Sequence, residues 1–568
     1  MRRPWCWSAS SAGLLACAAA CFAQHTPVIL ISIDTLRADH LSAYGYGRIQ
    51  TPHIDSFAQN GTVFDNADSQ IPLTLPSHLA LFTSTYPFSN QIEENAERVP
   101  AGVVTLASVL RSHGYQTAGF VGCVFLEGEI GIDQGFDFYD SPFHFDVLSP
   151  LSGSMLAGAR RNPYAMRDRR DGALVLAAAS RWLAANRGQP VFAFVHLFDM
   201  HKPYHVPAGF PAQPGTSGYD GELEYVDHLM GSFKQNLMDQ GWWDRSLVVL
   251  LADHGESLGE HGEDSHGTFI YQSTLHVPLI VHWPSGGPDR PTRVSQPAGL
   301  IDVAPTILDF LRVPAPSTFA GRSLIGNAAA EAHPVYAESL HTHDAFGWAP
   351  LRSLRAGDHK YIEAPTPELY DLRDDPHEQR NLAGSLPAKT LEMRALLAQL
   401  LAQYAPPKPA PARGNSVETQ AKLRSLGYLA PGSRPALDTT GPDPKDRLPE
   451  FRLYEKAQAA LYQGRLEEAT SMLLQILARD PKNTLARRDL GGCYVERHLW
   501  DKARISFERV LEAAPEDYVT HFELGIAEEH LGLLQQAREH LETACRIAPE
   551  AEQCRHELQT LQQNHYEP

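Results

Sequence analysis

The chain predicts an α/β domain with a mostly parallel sheet sandwiched by helices, followed by an all-α solenoid of short repeats. Three observations carry that expectation. From Val28 to about Ala405, apolar β-branched runs alternate with amphipathic stretches, the pattern of strands joined by helices. Three of those runs, Val28–Ile33, residues 191–195 and Leu247–Leu251, lead into Asp and His. Open α/β sheets gather functional side chains at the carboxyl ends of their strands. Beyond residue 448 the sequence keeps a 34-residue period.

At 568 residues the chain exceeds one ordinary core, so two or three domains are expected. Its net charge of −19 argues against nucleic acid and against an anionic membrane face as partners. An anionic substrate must then be met by local cations, of which a metal ion is the compact choice.

Residues 1–23 read as an export signal: Arg2 and Arg3, then an apolar stretch over residues 9–22, and Cys21-Phe22-Ala23 before Gln24. The expected location is periplasmic or extracellular. The apolar run is too short to span a bilayer. Leu14-Leu15-Ala16-Cys17 loosely resembles a lipobox, so lipoprotein anchoring is one alternative, and a retained N-terminal anchor is another. Outside this leader stand Cys123, Cys493, Cys545 and Cys554, too few and too dispersed for a disulfide framework or a zinc site.

The expected domains are 24–405, a linker over 406–447 that opens with the Pro-rich residues 406–414, and a repeat domain over 448–564. Residues 423–429 carry the one short periodic segment of the linker. In the repeats, Ala469, Ala503 and Ala537 keep one phase, and Pro481, Pro515 and Pro549 another. Leu473, Phe507 and Leu541 hold a third, and Leu490/Leu524 and Gly491/Gly525 follow the same step. This pattern resembles the tetratricopeptide repeat, which implies three helical pairs, a final helix and a protein or peptide partner.

The chemistry gathers where the three strands end. Asp34 follows the first, Asp199-Met200-His201 the second and Asp253-His254 the third. One strand-end Asp is ordinarily a cap or turn residue; three strands delivering Asp and His to one sheet edge suit a metallo-hydrolase. Residues 72–87 contain Thr74-Leu75-Pro76-Ser77-His78, with Pro76 suited to the first turn of a helix. That puts Thr74 near a positive helix end, where a phosphoryl dianion is favoured.

This set resembles the sulfatase branch of the alkaline phosphatase superfamily. Supporting stretches are Thr51-Pro52-His53-Ile54-Asp55, Asp302-Val303-Ala304-Pro305-Thr306, Gly321-Arg322-Ser323-Leu324 and residues 368–382. The resemblance implies a metal site of Asp34, Asp253, His254 and the oxygen of Thr74. It also implies that Asp199, His201 and His266 complete a second metal site, or that His266 or His201 protonates the leaving group. His78 and Lys202 are the expected substrate contacts. The cofactor is one or two divalent ions, with zinc or manganese favoured by the His ligand and calcium or magnesium as alternatives. Glu256 and Glu260 read as helix or loop polar residues rather than catalytic carboxylates.

The chain departs from the sulfatase pattern at the reacting position. Sulfatases open the motif with a Cys or Ser that becomes formylglycine; Thr74, a secondary alcohol, would give a ketone. Thr35 stands where a second Asp is usual, and His78 replaces the motif Arg. Val121-Gly122-Cys123-Val124 replaces Gly-Lys-Trp-His, so the Lys and His that serve formylglycine are missing. The expected activity is hydrolysis or transfer of a phosphoric ester through a covalent Thr74 intermediate. A sulfatase without formylglycine and an inactive scaffold bearing protein-binding repeats are the alternatives.

Overall fold

The computed structural model describes residues 25–95, 97–143, 169–211, 216, 218–286, 290–326, 333–406, 441–548 and 552–565. The expected leader, linker residues 407–440 and Pro549 lie outside the described residues. Among the described residues no helix is long and apolar enough to cross a membrane.

The large sheet is built on β1 (Val28–Ile33), whose six residues are all buried. Such a continuous apolar run marks a strand covered on both faces. The other strands are β2 (Gly61–Asp68), β3 (Gln116–Phe120), β4 (Phe138–Asp140), β5 (Val191–Leu197), β6 (Leu247–Leu251), β7 (His276–His282), β8 (Arg293–Val294) and β9 (Ala298–Gly299). Their order is β4-β3-β5-β1-β6-β7-β2-β8, with β9 also on β2. Strands β4 to β6 of that order run parallel, and β7 lies antiparallel to both β6 and β2. The sheet is thus mixed rather than wholly parallel. Pro278 in β7 lacks a ladder donor, and the register shift of β2 between Phe64 and Ala67 falls opposite it.

Helices α1 (Thr74–Thr83), α2 (Leu106–Ser112), α3 (Gly172–Ala185), α4 (Gly218–Asp239) and α5 (Val303–Phe310) belong to this domain. Every residue of α1 is buried. Helix α6 (His341–Phe346) follows β10 (Val335–Ser339). Strand β10 pairs antiparallel in a second sheet with β11 (Leu351–Ala356), β12 (His359–Glu363) and β13 (Glu368–Asp371). Helix α7 (Pro387–Gln403) covers that sheet with Met393, Leu397 and Leu400.

The repeat domain consists of the pairs α8 (Leu448–Tyr462) with α9 (Leu466–Arg479), α10 (Thr484–Glu496) with α11 (Trp500–Ala513), and α12 (Tyr518–His530) with α13 (Leu534–Ile547), followed by α14 (Glu552–His565). The repeated small residues have a steric cause. Ala469, Ala503 and Ala537 are wholly buried. A Cβ on Gly491 would come 2.4 Å from the Phe507 ring, and one on Gly525 2.7 Å from Leu541. Cys123, Cys493, Cys545 and Cys554 are all free thiols.

Candidate functional site

Asp34 leaves β1 fully buried, and Thr35 after it has φ 55°. A β-branched residue in that region is strained, and such strain persists where the surroundings over-determine it. Here the Thr35 carbonyl accepts from Tyr219 Oη at 2.8 Å, and its N–H donates to Asp253 Oδ1 at 3.3 Å.

The donors around the two carboxylates leave a defined set of atoms open. Asp34 Oδ2 accepts from Thr74 Oγ1 at 3.3 Å and from His196 Nε2 at 3.2 Å, leaving Oδ1 without a partner. Asp253 Oδ1 takes the N–H groups of Thr35 and His254, leaving Oδ2 without one. His254 Nδ1 faces Gly255 O at 2.9 Å, so Nδ1 carries the hydrogen and the unpartnered Nε2 presents its lone pair. One ligand atom each from Asp34, Asp253 and His254 lies within 4.8 Å of the others. Buried polar atoms are seldom left unpaired; two carboxylate oxygens and an imidazole nitrogen converging here fit a divalent cation. Burial pushes the Asp34 carboxyl up to about 6. Burial, and then the neighbouring Asp34, push Asp253 up as well.

Thr74 opens α1 itself, two residues ahead of Pro76, and the Leu75 N–H in that first turn is taken by Asn95 Oδ1 at 2.8 Å. Ser77 Oγ donates to Asp253 O at 2.7 Å and ties the helix to β6.

His78 lies one turn along, wholly buried, with Nδ1 on Thr74 O at 2.7 Å and Nε2 on Ser32 Oγ at 2.9 Å. Its ring is therefore a neutral brace beneath Thr74, with both nitrogens engaged inside the protein rather than offered to a substrate. Burial holds it down at about 4.

Residue His196 was legible only as part of a strand. It pairs in register with Ser32, its ring meets His78 at 4.9 Å, and its Nδ1 accepts from the Gly122 N–H at 3.4 Å. The one signal for it is a His inside the apolar run of β5.

His201 and His266 meet Nε2 to Nε2 at 3.1 Å. Each Nδ1 faces a carbonyl, Lys202 O at 2.6 Å and Pro72 O at 3.2 Å. Both Nδ1 atoms thus carry hydrogens, and one proton or cation between the Nε2 atoms satisfies the pair. Burial lowers His201 to about 3 and His266 well below its usual value. The His266 ring also lies 4.4 Å from that of His254.

Asp199 stands apart from this pair. Its Oδ1 accepts from the Gly172 N–H at 3.0 Å, and a Cβ on Gly172 would come 2.6 Å from its Oδ2. Among the described residues, Asp199, His201 and His266 do not form a three-ligand cluster. Asp199 lies at the start of α3, where a carboxylate caps N–H groups. Lys202 is exposed and donates to Asp264 O at 2.9 Å.

Glu256 is wholly buried and pushed up to about 8 by that burial, whereas Glu260 pairs with Arg37 at 2.8 Å. Asp55 and Asp302 bind backbone: Asp55 accepts from the Ala43 N–H, and Asp302 from the N–H groups of Gly299 and Arg322.

A family model described as Sulfatase matches residues 26–313, and one described as N-sulphoglucosamine sulphohydrolase, C-terminal, matches 259–405. The Tetratricopeptide repeat model matches 454–518 and 494–552. A Delta 4,5-hexuronate-2-O-sulfatase of Bacteroides thetaiotaomicron is 24% identical over 444 residues, covering 65% of this chain and 87% of that protein. Arylsulfatase K of Xenopus laevis is 22% identical over 419 residues, covering 61% and 77%. The crystal structure of a phosphonate monoester hydrolase of Agrobacterium radiobacter matches with a TM-score of 0.56 at 22% identity, over 68% of this chain and 98% of that one. At that identity the likeness is one of fold.

Proposed function

The chain belongs to the sulfatase family, a family of metal-dependent hydrolases, and within it we propose a phosphoric ester hydrolase or phosphotransferase whose nucleophile is Thr74. The observation that carries this reading is the Thr74 hydroxyl at the start of α1, 3.3 Å from Asp34 Oδ2 and beside the Asp34–Asp253–His254 cluster.

A second observation supports this reading over formylglycine chemistry. The resemblance aligns the sulfatase Lys with Gly122, where a Cβ would come 3.0 Å from His196 O and 3.1 Å from Phe198 N. A side chain there would require His196 and Phe198 to give by a few tenths of an ångström. Val124, aligned with the accompanying His, is apolar and buried.

Asp34, Asp253 and His254, with Thr74 Oγ1, would hold the divalent cation. When bound it supplies positive charge for the substrate's anionic oxygens and acidifies a hydroxyl beside it. Zinc or manganese is the preferred ion because His254 offers a nitrogen.

Thr74 Oγ1 forms the new bond to phosphorus as the ester bond to the leaving oxygen breaks. Its proton moves toward Asp34 Oδ2. The leaving oxygen takes the proton that His201 and His266 share, which a neighbouring substrate anion helps them to hold. Water or an acceptor alcohol then attacks phosphorus and gives its proton back to the His201–His266 pair, the Thr74 Oγ1–P bond breaks, and the proton held by Asp34 returns to Thr74. His78 and His196 keep Thr74 and Asp34 in place, and Lys202 stands at the rim as a contact for the substrate anion.

The test is a matched assay of nitrophenyl phosphate monoester, diester and sulfate, each with zinc, manganese or calcium, beside Thr74→Ala. Phosphoester turnover that Thr74→Ala abolishes, with acid-quenched phosphate on the Thr74 peptide, is the expected result. Sulfate turnover that survives in Thr74→Ala would require another nucleophile. An export signal at residues 1–23 and a protein partner for the repeats belong to the same proposal.

A further inference from the structure

Asp253-His254 and His266 are joined by one irregular segment, residues 255–265, so its shape fixes the two halves of the site relative to each other. The segment does not rest in an easy backbone conformation. Gly259 has φ 115°, His261 φ 51° and Gly262 φ 86°. A non-glycine residue at positive φ is held there by its neighbours.

Three neighbours hold it. From the β1 side, Arg37 donates to Glu256 O at 3.0 Å and to Glu260 Oε1 at 2.8 Å. Just ahead of β7, Tyr271 stacks on the His261 ring at 3.6 Å, and beyond β13 the His377 carbonyl meets His261 Nε2 at 3.1 Å.

The third neighbour is the repeat domain. Arg452, on α8, donates to Gly262 O through Nε at 3.0 Å and Nη2 at 2.6 Å. A Cβ on Gly262 would come 2.9 Å from Leu448 Cδ1, so the helix presses directly on the turn. Helix α8 is not loosely tethered. Phe451 and Tyr454 share one apolar cluster with Ala345 and Trp348, and the Phe346 and Tyr454 rings meet at 5.3 Å. Ahead of α8, the Ala349 N–H donates to Pro442 O at 2.9 Å, and Lys445 Nζ to Glu368 Oε1 at 2.6 Å. Helix α6 fills the space between: its His341 ring would lie 3.5 Å from a Cβ on Gly267, next to His266.

We infer that the first repeat helix is a structural part of the catalytic unit, with Arg452 a positioning residue that clamps Gly262 and thereby sets His266 against His201 and His254. The repeats are then not only a docking module; their first helix is the third wall of the active-site loop. The inference rests on the proposed role of His266 in the reacting centre.

The test uses the full chain with Arg452→Ala, Arg452→Lys and, as a control elsewhere in the repeats, Arg504→Ala. Hydrogen exchange of the amides of residues 258–266 should speed by about tenfold in Arg452→Ala, because the loop opens more readily. In the same variant kcat should fall by about tenfold with KM and Tm nearly unchanged, since a displaced catalytic group costs rate rather than binding. Arg452→Lys should recover most of both, and Arg504→Ala should match wild type. Exchange and kcat at wild-type values in Arg452→Ala would overturn the inference. If wild type turns over none of the test esters, the function proposal has failed, and the exchange result alone decides this one.

Discussion

Thr74 Oγ1 lies 3.3 Å from Asp34 Oδ2, so the first turn of α1 meets the carboxyl end of β1 across 40 residues of chain. Thr74→Ser keeps the hydroxyl and should retain activity. Thr74→Ala removes it and should lower kcat by about 10³-fold or more with little change in Tm. Steady-state kinetics on the best phosphoester, beside a melting curve, reads both.

Asp34 and Asp253 are two wholly buried carboxylates that share one potential ligand cluster with His254. Chelation should therefore lower Tm and abolish turnover, and adding zinc or manganese should restore both. His254→Ala removes the one nitrogen donor, and its metal affinity should fall at least about tenfold by calorimetry. An unchanged binding isotherm would place the cation elsewhere.

Glu338 gives a pH prediction away from the site. It is buried in the small sheet, with Tyr336 Oη on its Oε2 at 2.7 Å. Burial, then the neighbouring Glu93, raise its folded pKa from 4.5 to about 8. Between those values the folded state keeps a proton that the unfolded state releases. Its contribution is fully present below about pH 4.5 and is lost as pH rises toward 8. Tm should fall from pH 5 to pH 8, and Glu338→Gln should make that fall smaller. An identical slope in the variant would remove Glu338 as its cause.

In the repeats, Gly491→Ala would bring a methyl 2.4 Å from the Phe507 ring. The helices must part or the ring must turn, at a cost of about 1–3 kcal/mol. Denaturant melts of the full chain should show the loss, and adding Phe507→Leu should return part of it.

Val28–Ile33 and Leu247–Leu251 were legible residue for residue because a strand buried on both faces must be apolar throughout. The repeats were legible for a similar reason: Ala503 and Gly491 recur because adjacent helices leave no room for more. The antiparallel setting of β7 was not, since strand direction depends on which neighbour the chain returns to. Nor was the inward engagement of His78, which depends on Ser32 standing beneath it.

By itself, then, the sequence determined the periodic and local features: strand runs, the 34-residue step, and acids and histidines at strand ends. These follow from burial and steric demands that each residue meets with its near neighbours. Only the tertiary structure decided that His196 reaches Asp34 from 162 residues away, that Asp199 turns to Gly172 rather than to His201, and that Arg452 of the repeats donates to Gly262 O. Those contacts are set by which strands adjoin and which domain packs on which, long-range choices that no local pattern encodes.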